Sequence, residues 1–394
     1  MNQLRSILLM KRREGGFSLI ELMIAIALGL LIMAAVIQLF IGSRQTYSTN
    51  EALARVQENG RFAMELIKPE IRGLASGQGF CAGQIIPRNH LNLACNADMA
   101  NLFDQRGAIQ GWEYTGTGIQ GEFPIPADLS PSGINRNNWR GRNQDQILDL
   151  PAVLENRVVP GSDVLVLQQM ETLAVEIDGV QSDNRIRVVS GGDQIPPRGI
   201  MMVVNCALGG DIFQGSPSQG GEDIFKPNQD CDADGEPGNR PPGQSPWAHD
   251  HDGASSLVFQ RTYAYYVGFN ANRNEPGLYR MDMSAGLRAG DLVEEELVEG
   301  IENMQVLFGF SNPANQGGDG QSVDFWLTSD QVTDWGLVIA VRISMLARSQ
   351  SNAESRAQSF VFDLAGTELT TPTDRRLRQP FNTTLALRNR VVVQ

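Results

Sequence analysis

Residues 16–41 read GFSLIELMIAIALGLLIMAAVIQLFI, and this stretch decides how the rest of the chain is organised. The run from Phe17 to Ile41 has 25 residues, 21 of them apolar, and its one charge is Glu21. At about 1.5 Å of rise per residue a helix of this length covers roughly 37 Å, enough for a bilayer core of about 30 Å. Upstream stand four basic residues, Arg5, Lys11, Arg12 and Arg13, against the single acid Glu14. Such a cluster stays cytoplasmic and sends the rest of the chain across the membrane. A secretory signal has a shorter apolar core, about 7–15 residues, with a small-residue cleavage site after it. Here Gly15 and Gly16 come before the run, and no A-x-A-like site follows it. The run therefore reads either as an uncleaved signal anchor or as a segment cut at Gly16. Glu21 favours the cut. A carboxylate within a bilayer helix costs about 2.5–3.5 kcal/mol on insertion scales, and no nearby residue of the same helix supplies a cation. A free α-amino group on Phe17 of a neighbouring chain would do so.

The chain has 394 residues, length enough for two or three domains or one large β-rich domain with appendages. Its 41% hydrophobic and 20% charged residues exclude wholesale disorder. The net charge of −13 repels phosphate backbones, so no nucleic-acid partner is expected. Four cysteines and three histidines offer little material for a Cys/His metal site or a histidine-based catalyst.

Beyond the apolar run, residues 43–75 keep a helical period. Leu53, Val56, Gly60, Ala63, Ile67 and Leu74 recur at 3/4 spacing, and Pro69 should end or kink the helix nearby. This stripe should pack on the protein's own sheet. From about residue 76 the pattern becomes short apolar or alternating runs separated by Gly, Pro, Asn and Asp. Strands are expected at 163–168, 185–189, 200–205, 257–269, 278–283, 304–310, 337–346, 359–363 and 383–392. Hairpin-length spacing favours antiparallel pairing. Residues 207–253 hold nine glycines and six prolines and read as a surface excursion loop, outside any core. The class is thus α+β: a long N-terminal helix packed on a large antiparallel β-rich head.

Cys81, Cys95, Cys206 and Cys231 all lie beyond the apolar run, with no C-x-x-C pair among them. Outside the cytoplasm disulfides are expected. Of three connectivities, 81–95 with 206–231 is sequential and closes modest loops, each worth about 2–4 kcal/mol. Asp230, Asp232 and Asp234, followed by Gly235, fit the start of a calcium loop, although Pro241 stands where a twelfth-position glutamate would be. The same residues fit a solvated acidic loop; His249 to Gly253 lies close enough in sequence to add ligands. Gly116 to Gly121 matches G-x-G-x-x-G without the strand before it or the helix after it, so no dinucleotide is expected. There is no G-x-S-x-G, and no catalytic constellation surrounds His90, His249 or His251; the chain does not read as an enzyme. Arg375, Arg376, Arg378, Arg388 and Arg390 are expected to pair with the excess acids.

The junction Gly16-Phe17-Ser18-Leu19-Ile20-Glu21-Leu22 resembles the type IV prepilin leader. The resemblance implies removal of residues 1–16 by a prepilin peptidase at the inner membrane and N-methylation of Phe17. Glu21 would then guide docking into a growing filament. On this reading 17–42 is the membrane half of the helix, 43–75 its amphipathic half, and 76–394 the head. Further landmarks are similar to PilW-type minor pilins. They include Glu70-Ile71-Arg72, Gly79-Phe80-Cys81, Gly210-Asp211-Ile212-Phe213-Gln214, Leu278-Tyr279-Arg280, Glu296 to Gln305, Val341-Arg342-Ile343-Ser344, Arg375 to Arg378 and Phe381 to Arg390. That family implies help in priming type IV pilus assembly, a place at or near the tip, and other minor pilins, the major pilin and a tip adhesin as partners. A minor pseudopilin of type II secretion shares the leader, and a membrane-anchored periplasmic enzyme is the reading from another class. Major pilins often carry a proline in the membrane half; here the first proline is Pro69.

Overall fold

The computed structural model describes residues 16, 18–74, 87–92, 102, 108–180, 185–217, 223–225, 238–239, 247–284, 292–311 and 322–387. Phe17, Cys81, Cys95, Cys231, Asp230, Asp232 and Asp234 lie outside them. The chain forms two compact units, Met1–Glu51 and Ala52–Gln394.

One helix, α1 (Leu19–Arg72, 54 residues), supplies the described part of the first unit and enters the second. Among the described residues it is the one helix long and apolar enough to cross a membrane. Its first half carries large apolar side chains that are all exposed, from Leu19 to Ile41. In the second unit the polarity pattern takes over: Ala52, Val56, Gly60, Ala63, Met64, Ile67 and Ile71 are buried. This is the 3/4 stripe expected from sequence, except that Leu53 is only half-buried and Leu74 lies just past the helix end. Pro69 sits three residues before the last helical position, so the helix ends within a turn of it.

The head holds twenty strands among the described residues. They are β1 (Arg88–Asn89), β2 (Ile109–Tyr114), β3 (Glu122–Pro124), β4 (Trp139–Asn143), β5 (Gln146–Asp149), β6 (Val164–Thr172), β7 (Glu176–Val180), β8 (Ile186–Ser190), β9 (Gly199–Asn205) and β10 (Gly209–Pro217). The second half of the chain gives β11 (Asp223–Phe225), β12 (Ser256–Asn270), β13 (Glu275–Asp282), β14 (Val293–Glu299), β15 (Ile301–Phe310), β16 (Phe325–Leu327), β17 (Val338–Arg348), β18 (Val361–Leu364), β19 (Thr367–Thr370) and β20 (Arg378–Ala386). The main sheet runs β5-β4-β2-β6-β12-β9-β10-β11-β8-β7; β1 pairs with β10, and β13 and β14 extend from β12. A second sheet runs β16-β15-β17-β20, and a third β18-β19-β3.

The 15-residue β12 organises the main sheet. Along one edge Val258–Tyr266 pairs with β6; along the other, Ser256–Phe259 pairs with β9 and Tyr263–Asn270 with β13. Both faces of this region are covered, so alternate residues go to different cores. Val258, Ala264 and Tyr266 join a cluster with Val164, Val166, Ile200 and Met202. Tyr265 and Val267 face the opposite way, into the core that includes α1 through Val56, Ala63, Ile67 and Ile71. Farther along, Leu257 and Phe259 join Met201, Val203 and Phe213 in a third cluster.

Two expectations need correction. Pairing is antiparallel except for β1 with β10 and β3 with β19, which are parallel. Those strands come from remote parts of the chain, Arg88 facing Asp211 and Glu122 facing Glu368, so no hairpin dictates their direction. Residues 207–253 are also not simply an excursion loop. Gly209–Pro217 is β10, well inside the main sheet, with Ile212 and Phe213 buried on opposite faces. Its glycines made it read as a turn-rich segment, but seven residues are paired to β9.

Candidate functional site

Glu21 lies in the first turn of α1, where it makes a reciprocal cap with Ser18. The Glu21 backbone N–H donates to Ser18 Oγ (3.2 Å), and the Ser18 N–H donates to Glu21 Oε2 (3.0 Å). This is a capping box, written in the sequence as Ser18-x-x-Glu21, a signal the leader motif obscured. Glu21 thus satisfies an amide at the positive end of its own helix, just after Gly16.

The densest group of chemically versatile side chains lies elsewhere, around Asp211. The β9–β10 hairpin turns through Cys206, Ala207 and Leu208, with the Ala207 N–H donating to Asn205 Oδ1 (2.9 Å). Cys206 is disulfide-bonded. Gly209 opens β10 at φ +131°, and a Cβ there would run into the imidazole of His249. Two residues on, Asp211 points to the same face as Phe213 and is fully buried. Parallel pairing of β1 brings His90 alongside, its backbone N–H donating to the Ile212 carbonyl (2.9 Å). Residues 247–255 close the site. They are pinned by the Val180 N–H on the His251 carbonyl (3.1 Å) and by Asn205 Nδ2 on Asp252 Oδ1 (3.1 Å). Gly179, at φ +91°, leaves room for that carbonyl.

All three histidines of the chain meet this one carboxylate. Asp211 Oδ1 contacts His90 Nε2 and accepts the Ala248 N–H (3.0 Å). Oδ2 faces His249 Nδ1 (2.9 Å) and His251 Nε2 (2.7 Å). Burial alone would raise the Asp211 carboxyl, but the bonds from His251, His90, Ala248 and His249 hold it well below the usual carboxylate range. Asp211, His249 and His251 place ligand-type atoms within 4.8 Å of one another and could hold a metal ion. Trp247 stacks edge-on between Phe213 and His251 and also contacts His90, walling the site with aromatic surface. That all three histidines converge on one carboxylate is not visible in the sequence, for a topological reason. The sequence separates His90 from Asp211 by 121 positions, and only the parallel β1–β10 pairing joins them.

Two further polar clusters are buried in the head. Asp163 accepts the backbone N–H groups of Tyr114 (3.2 Å) and Val306 (2.9 Å), and Glu113 accepts the Thr117 hydroxyl (2.8 Å). Burial pushes the Asp163 carboxyl up to about 7; it raises Glu113 well above its usual value too, with the Asp163 charge adding to the effect. The second is an ion-pair network. Arg348 bridges Glu302 and Glu275 (both 2.9 Å), and Arg378 reaches Glu302 (2.6 Å) and Asp374 (2.7 Å). Arg376 adds Glu275 (2.7 Å), while Arg375 donates to the Glu354 carbonyl (2.7 Å). The arginine run thus fastens β17 and β20 to β13 and β15, within the head. Arg388 and Arg390 are outside the described residues, as are the four remaining candidate ligand and cleavage positions Phe17, Asp230, Asp232 and Asp234.

No curated protein and no solved structure matches the chain. Two family profiles do. Residues 11–37 match the prokaryotic N-terminal methylation motif, covering Lys11 to Gly16, Glu21 and most of the apolar run. Residues 264–389 match the type IV pilus-assembly protein W (PilW) family, covering the second half of β12, then β13 to β20 with the arginine network. An N-terminal methylation motif on an exposed apolar helix, followed by a PilW-matching β-rich segment, makes the chain similar to PilW-type, pilin-like proteins in these two segments and gives it the N-terminal features of a membrane-anchored chain.

Proposed function

We propose that the protein is a minor pilin that helps initiate type IV pilus assembly and resides at or near the pilus tip. The observation that carries this reading is the composition of α1. Glu21 is the one charge in an exposed apolar run that begins directly after Gly16, within the matched methylation motif. In this reading a prepilin peptidase cuts between Gly16 and Phe17, Phe17 is methylated, and the head stands in the periplasm while α1 waits in the inner membrane. Apolar faces of neighbouring helices then cover Leu19 to Ile41, and Glu21 meets the new amino terminus of the next subunit. Partners are other minor pilins, the major pilin and a tip adhesin; the role is assembly, not catalysis. The profile match over 264–389 favours this over a type II secretion pseudopilin.

The test is immunogold labelling of sheared pili with antibody to the head, together with pilus counts in a strain lacking the protein. Label confined to one filament end and a loss of surface pili are expected. Label spread along the shafts, or unchanged pilus numbers, would count against it.

A further inference from the structure

We infer that the head carries a Zn²⁺ site formed by Asp211, His249 and His251, supported by His90. The site lies outside both profile-matched segments and is independent of the pilin reading.

The argument rests on how the carboxylate is shared. Oδ2 faces the two imidazole nitrogens of His249 and His251 at 2.9 and 2.7 Å, while Oδ1 is held from behind by His90 and the Ala248 N–H. This division, one oxygen toward the ligand set and one fixed by outer hydrogen bonds, is how protein metal sites orient a carboxylate. Zinc bonds of about 2.0–2.1 Å in tetrahedral geometry hold neighbouring ligand atoms about 3.3 Å apart. Opening the two observed distances by roughly half an ångström would admit the ion. Among the described residues the buried Nδ1 of His251 has no hydrogen-bond partner, so the polar contact that anchors that ring is the one to Asp211. The His249 side chain is 25% exposed, which gives an ion a way in and leaves the fourth position for water.

Ligand chemistry chooses the ion. Two imidazoles and one carboxylate suit zinc and its transition-metal neighbours, whereas calcium and magnesium need oxygen ligands. The bound ion would tie β10 to the segment 247–255, with β1 attached through His90.

The test uses the full-length protein in detergent, stripped with chelator and titrated with Zn²⁺, with Co²⁺ as a spectroscopic probe. One Zn²⁺ per chain is expected, together with a rise in unfolding midpoint that chelator reverses. His249→Gln should weaken binding at least tenfold, and the exposed neighbour Asp250→Asn should leave it unchanged. Removing the outer support with His90→Gln should weaken it about 10–100-fold. Millimolar Ca²⁺ should not compete. The Co²⁺ form should show the intense visible bands of four-coordinate geometry, a readout that holds even if His249→Gln misfolds. Absence of saturable binding, binding that His249→Gln leaves intact, or an octahedral aqua-like Co²⁺ spectrum would each overturn the site. In those cases Asp211 is a hydrogen-bonded structural carboxylate only.

Discussion

Glu21 has two physical jobs that can be separated by substitution. It caps α1 through Ser18, and it carries the charge that docking would use. Glu21→Gln keeps a capping box, because glutamine fills that position as glutamate does, but removes the charge. Glu21→Ala removes both, and loss of a cap interaction costs about 0.5–2 kcal/mol locally. If assembly depends on charge pairing, both variants insert normally and both lose pili. If capping is what matters, Gln restores piliation and Ala does not. Surface pilus counts alongside membrane-fraction blots distinguish the two. The charge in the apolar run is legible from sequence, and its local partner is legible too, as Ser18-x-x-Glu21. The Asp211 cluster was not legible at this scale. His90 is far from Asp211 in sequence, and nothing in a histidine's immediate neighbours says which strand will pair beside it.

Between elements, α1 and β20 approach closely at Gly60. A Cβ on Gly60 would overlap the ring of Phe381. Two effects compete in Gly60→Ala: about 1 kcal/mol gained in helix propensity, and about 1–3 kcal/mol lost to overpacking. Phe381 is only partly buried, but it packs against the main core and cannot leave without uncovering it. Net destabilisation is therefore expected for Gly60→Ala. Shortening the ring should relieve it, so Gly60→Ala with Phe381→Ala should be less destabilised than the sum of the single variants, with coupling of about 0.5–3 kcal/mol. Strictly additive unfolding free energies would mean the ring simply swings aside. The buried helical stripe was readable because a 3/4 period survives in any context. Strands at 200–205 and 257–269 were readable from their apolar runs. β10 was not, because Gly209, Gly210, Gly215 and Pro217 give it the composition of a loop. What makes it a strand is its seven-residue register with β9 and the burial of Ile212 and Phe213, which are tertiary facts.

For the whole molecule, the Glu113–Asp163 pair sets a pH dependence opposite to that of most carboxylates. Both groups have folded-state pKa values raised above their ordinary ones, Asp163 to about 7. The folded protein then binds protons more tightly than the unfolded chain, so this pair lowers stability as pH rises from about 4 to about 7. At about 1.4 kcal/mol per pKa unit, the effect is of order a few kcal/mol. Thermal unfolding of wild type and Glu113→Gln at pH 5 and 7.5 isolates it. The wild type should lose more stability than the variant over that interval, because the opposing contribution of Asp211 and Asp374 is common to both. Parallel profiles would show that the pair ionises as freely folded as unfolded.

The packing of Gly60 against Phe381 also fixes an order of events. A ribosome makes α1 first, and its buried stripe shares a core with β2 and β6 from the first half of the chain and with β15, β17 and β20 from the last third. Glu122 likewise waits for Glu368, and His90 for Asp211. The core around the apolar stripe is therefore incomplete until the last strands have been made. A chain that ends before β20 lacks Phe381 over Gly60, and such a product is expected to be more open to proteolysis than the whole head.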